Sequence, residues 1–135
     1  MASIIIVPGW RDSGPGHWQS LWADQLPGAV RVAPADPERR GILADFAPVP
    51  CQPLPYRSIM VASSNDPFCP VRTAGAYARA WGSEFVRLQN AGHINIESGF
   101  GAWPLGLALL QSLTGEGSFT NNGLSPFSNP TLETA

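Results

Sequence analysis

Two residues in the second half of the chain have the types and spacing of an acid–base pair. Asp66 stands in SSNDPFCP (63–70) and His93 in NAGHINIESG (90–99). A carboxylate beside a histidine fixes the imidazole tautomer and stabilises the imidazolium formed when the ring takes a proton. Asp66 and His93 stand 27 positions apart, with one helix and one strand between them by pattern. That spacing brings two loops to the same edge of a parallel sheet, where the working residues of open α/β folds sit. Gly92 lets the backbone come close beside His93.

Plainer readings stand beside this one. His93 also suits a loop histidine bonded to backbone, and Asp66 before Pro67 suits a helix cap. Ser13 lies on a glycine loop at the same sheet edge, a place for a substitute nucleophile, but Gly14-Pro15-Gly16 beside it marks a turn. Ser63 and Ser64 suit local turn bonds, and Cys69 suits a buried thiol near a helix start. His17, His93 and Asp66 lack the spacing of a standard zinc motif. GPG (14–16) is no phosphate loop, because no G-K-[ST] follows and the chain has no lysine. No cofactor is implied.

The elements that must position these residues are readable from hydrophobic pattern. A β-branched run at 3–7, ended by Pro8-Gly9, reads as a buried parallel strand. The segment 17–26 places Trp18, Leu21, Trp22 and Leu26 on one helical face before Pro27-Gly28. A further strand is expected at 29–33, then turn-rich PADPERRG and a proline-rich loop over 42–55. Strands at 58–62 and 84–88 flank a helix over 71–81, whose Val71, Ala74, Ala78 and Trp81 share one side. A last helix over 104–113 has Pro104 in its first turn. Strands alternating with helices argue for an α/β parallel sheet. Residues 115–135 are rich in Gly, Ser, Asn, Thr and Pro and read as a disordered tail behind a domain over 1–114.

Composition narrows the function classes. A chain of 135 residues with 44% hydrophobic content suits one domain with a real core. The net charge of −2 and scattered arginines give no reason to expect nucleic acid or a membrane surface as partner. No apolar run approaches the roughly 18 residues of a membrane span, and the N-terminus lacks the charged n-region of a signal peptide. Cys51 and Cys69 form no C-x-x-C pair, which suits free thiols in the cytoplasm.

Acid followed by base is the chain order of α/β hydrolases, in which a serine precedes both. IIIVPGWRDSGPGHWQSLW, APADPERRG, FAPVPCQPLPYRSIMVASSNDPFCP, AWGSEF and NAGHIN with SGFGAWPLGLALL resemble the small serine hydrolases related to retinoblastoma-binding protein nine. The resemblance covers about residues 3–113. It implies an α/β-hydrolase fold that cleaves a small ester or amide through a Ser-His-Asp triad. In it Asp66 and His93 match the acid and the base, and the backbone N–H of Trp10 contributes to the oxyanion hole.

The chain departs from that family at the nucleophile. No G-x-S-x-G occurs; DSGPG, WGSEF, ESGFG and EGSFT contain Gly-Ser or Ser-Gly pairs without the pattern. Each βαβ unit takes about 30 residues, so roughly 60 are missing between the first helix and APADPE. The join falls in AVRVAPAD (29–36). The expectation is a truncated α/β-hydrolase-like parallel sheet of about three to four strands flanked by helices, with 29–33 moving into the gap. Its Asp66 and His93 would be triad remnants without a serine, and hydrolysis would be lost. The alternatives are a binding protein using the remaining cleft or an exposed sheet edge, a protein partner or a second copy being its occupant, or a product without function. Marginal stability is expected either way.

Overall fold

The computed structural model describes residues 4–7, 13–32, 48–115 and 132–134. Contacts gather the backbone into two compact units, residues 1–50 with 95–102 and residues 51–94 with 103–135. Trp10, PADPERRG and the tail segment 116–131 lie outside the described residues.

The first unit holds β1 (Ile5–Ile6), α1 (Trp18–Gln25) and β2 (Val30–Arg31). β1 pairs in parallel with β2, Ile5 opposite Val30 and Ile6 opposite Arg31. His17 caps α1, its Nδ1 accepting the N–H of Gln19 at 3.2 Å. The α1 face expected to be buried is narrower than its pattern: Trp22 and Leu26 are buried, whereas Trp18 and Leu21 are half-buried. Trp22 Nε1 donates to the carbonyl of Ala102, tying α1 to the 95–102 loop. That loop contains the 3₁₀ turn Ile96–Ser98, capped by Asn95.

The second unit holds β3 (Ile59–Ser63), α2 (Val71–Trp81), β4 (Glu84–Leu88), α3 (Pro104–Thr114) and β5 (Leu132–Thr134). β3 and β4 are parallel, from Ile59 opposite Glu84 to Ser63 opposite Leu88, with α2 as the crossover. The two small residues Ala74 and Ala78 are the buried positions of α2. Gly82, at φ 68°, ends the helix in the left-handed conformation that a glycine adopts without strain. Leu88 is 1% exposed and anchors the core of this unit.

Fold class is as expected: short parallel strands with helices, a truncated α/β arrangement. Two details differ. The strands pair in two ladders, β1–β2 and β3–β4–β5, rather than in one four-stranded sheet. β2 lies within 29–33 and pairs with β1, as filling the gap beside the first strand requires, but among the described residues no ladder joins it to β3 or β4. β5 falls within the expected tail and pairs antiparallel to β4, Leu88 opposite Leu132. A composition poor in periodicity does not stop three residues from satisfying an open strand edge.

Candidate active site

The loop after β3 and the loop after β4 leave neighbouring parallel strands at their carboxyl ends, and this brings Asp66 to His93. Both carboxylate oxygens lie near the imidazole Nδ1, Oδ1 at 3.1 Å and Oδ2 at 3.0 Å. The Asp66 side chain is 13% exposed and that of His93 50%. The carboxylate is therefore sheltered while part of the ring faces outward. With Nδ1 donating to the carboxylate, Nε2 becomes the position able to take a proton, the arrangement of an oriented base.

Asp66 does not cap α2. That helix begins at Val71 with Pro70 at the cap position and no side-chain cap bond. Asp66 Oδ1 instead accepts the N–H of Phe68 at 2.9 Å, a local Asx turn. The proline at 70 fixes the helix start downstream and leaves Asp66 for His93.

Three side chains before Asp66 build the loop that carries His93. Ser64 Oγ accepts the N–H of Asn90 at 2.9 Å, Ser63 Oγ that of Ala91 at 3.0 Å, and Asn65 Oδ1 that of Gly92 at 2.8 Å. Ser63 Oγ also donates to Asn65 Oδ1 at 2.8 Å, tying two of the acceptors together. Ser63 makes the expected local turn bonds, to the Asn65 side chain and from the Asn65 N–H at 3.4 Å, and both hydroxyls in addition cross to the neighbouring loop. Sequence reasoning passed over Asn65 altogether. The available signal was the run of short polar side chains ending a strand beside a second polar loop, which is where side chains satisfy loop N–H groups.

The backbone around His93 is tightly wound. Asn90, Gly92 and Ile94 have φ of 51°, 57° and 52°. A β-branched residue rarely adopts such a φ, and holding one there costs on the order of 1–3 kcal/mol. Strain of this kind persists where surrounding bonds over-determine the backbone, and the three side-chain acceptors do so here. The ring of Phe68 meets that of His93 edge-on, centroids 4.7 Å apart at 68°.

The remaining candidates have bonds of their own. Ser13 is 8% exposed, and its hydroxyl donates to Gln19 Oε1. Its carbonyl accepts from Ser20 Oγ at 3.0 Å and from Arg31 Nη2 at 2.8 Å. These are the bonds of a residue that closes a turn. His17 is committed to the α1 cap. Cys69 is half-buried and its Sγ faces the carbonyl of Pro70 at 3.8 Å, whereas Cys51 is exposed. Among the described residues no three His, Cys, Asp or Glu side chains gather as metal ligands.

A family model, described as serine hydrolase, matches residues 4–39 and 23–112. The chain belongs to this serine hydrolase family. Asp66 and His93 both fall in the second matched stretch, and the two stretches share residues 23–39. The structure is similar to that of a YdeN-like hydrolase from Pectobacterium atrosepticum, with a TM-score of 0.73 and 26% sequence identity. The match covers 84% of this chain and 90% of that one. Among curated proteins none matches the chain.

Proposed function

We propose that this serine hydrolase family member keeps the acid and the base of a triad, Asp66 and His93, and has lost the nucleophile, so that it does not hydrolyse esters or amides. The observation that carries the reading is an oriented base in a sequence that lacks the family's nucleophile motif. Nδ1 of His93 is held by Asp66, yet the sequence contains no G-x-S-x-G. Its relatives are the small hydrolases related to retinoblastoma-binding protein nine, on the motifs quoted above. An internal deletion at 29–36 accounts for the lost elbow. The two matched stretches support it, since the residues they share include that segment. Removing a triad serine costs about a millionfold in kcat in subtilisin. Here the backbone N–H that follows the nucleophile is lost with it, which removes half of the oxyanion hole. Trp10 is the residue we assign to the other half.

The test is labelling with a fluorophosphonate probe and peptide mapping, beside a family member that has its elbow. No labelled serine is expected. One serine that is labelled in the folded protein, and not in His93→Ala, would overturn the reading.

A second reading, a binding protein, rests on the sheet face of the first unit. Ile5, Val7 and Val30 are 61–66% exposed and Val32 41%, and all four lie on one side, opposite buried Ile6. Parallel strands normally bury both faces, so an apolar partner surface or a second copy would gain from covering this one. Sedimentation velocity separates the readings: a monomer at all concentrations argues against self-association.

A further inference from the structure

Phe68 is out of place for a phenylalanine. It is 76% exposed, so it contributes little to any core. Both its main chain and its ring nonetheless touch the acid–base pair. The N–H holds Asp66 Oδ1, and the ring meets His93 edge-on with centroids 4.7 Å apart. Aromatic rings attract in this geometry.

Asp66 holds Nδ1 of His93 through both oxygens. Rotation of the ring about its Cβ–Cγ bond would carry Nδ1 away from the carboxylate. The side chain is half exposed, so packing confines it only in part. A flat ring standing against the imidazole restricts that rotation.

We propose that Phe68 is the positioning residue of His93: its main chain sets the Asp66 carboxylate and its ring sets the imidazole plane. The inference rests on the reading of Asp66 and His93 as an acid–base pair, and it extends that reading to a residue with no chemistry of its own. It also accounts for a pair that stays assembled in a chain without a nucleophile. Every contact named here comes from the 63–70 and 90–94 segments.

The experiment is proton NMR of the full chain with labelled histidine, with His17 and His93 told apart by His93→Gln. Phe68→Ala keeps the main-chain bond to Asp66 and removes only the ring. In the native protein the carbon-bound protons of His93 should carry a ring-current shift, and its Nδ1–H should be visible in slow exchange with water. Phe68→Ala should lose both signatures while the remaining amide spectrum stays native, and Phe68→Tyr should keep both. A native ring-current shift and an unchanged Nδ1–H signal in Phe68→Ala would overturn the proposal. Asp66→Ala tests the underlying pair separately. If that variant leaves the Nδ1–H signal as it was, the pair is refuted, and the ring-current shift still decides the role of Phe68.

Discussion

Ser63 shows how much a small side chain carries in this site. It is 1% exposed, accepts the N–H of Ala91 and donates to Asn65. Removing its hydroxyl leaves a buried N–H without an acceptor, which costs about 1–3 kcal/mol. Ser63→Ala should therefore lower the urea midpoint by that amount of stability. The same variant should disturb the amide signals of 90–93 before those of α3. A change within measurement error would mean that the Ala91 N–H finds another acceptor. Neither the hydroxyl nor Asn65 stands out in the sequence, because SSND reads as an ordinary turn. Asp66 and His93 do stand out, because their types and chain order already state a chemistry.

Among the helices, α3 contains the sharpest steric test. A Cβ built on Gly106 would run into Cε3, Cδ2 and Cζ3 of Trp103, whose ring folds over the first turn. Trp103 is 7% exposed and sits at φ 44°, so it has little room to yield. Alanine is better than glycine inside a helix by about 1 kcal/mol, but overpacking costs about 1–3 kcal/mol. The clash wins, and Gly106→Ala should destabilise the protein in a thermal melt. A raised Tm would mean that Trp103 swings away freely. The boundaries of α2 and β4 were legible in advance, since a glycine C-cap and a clear change of period mark them. β1 and β2 were legible as strands, but the separation of their ladder from β3–β4–β5 was not, since it depends on which edges remain open.

For the molecule as a whole, the buried apolar set is thin. Four of its ten described members, Ala62, Ala74, Ala78 and Ala91, are alanines. Small side chains remove little apolar area from water, at about 25 cal/mol per Å². The exposed face at Ile5, Val7, Val30 and Val32 adds apolar surface that folding leaves wet. Stability near or below about 5 kcal/mol, the lower end of the usual range, is the expected result of urea unfolding. The open face should also drive concentration-dependent association, and Val30→Lys should reduce it. Association unaffected by that change would place the sticky surface elsewhere. Among the described residues no helix is long and apolar enough to cross a membrane.

The sequence by itself determined the parts that depend on local pattern and residue type. These were the α/β alternation, the helix over 71–81, the strand over 84–88, the candidate pair Asp66 and His93, and the absence of a G-x-S-x-G nucleophile. Hydrophobic period, capping residues and chemical identity act over a few neighbouring positions and need no fold to be read. Tertiary structure decided what depends on distant partners. It gave Asp66 to His93 rather than to a helix cap, sent Ser63, Ser64 and Asn65 across to the 90–92 backbone, and set Phe68 against the imidazole. It also separated the strands into two ladders and added Leu132–Thr134 to the second. A hydrogen bond or a ladder goes to whichever group the folded chain leaves open, and that choice is made only when the segments meet.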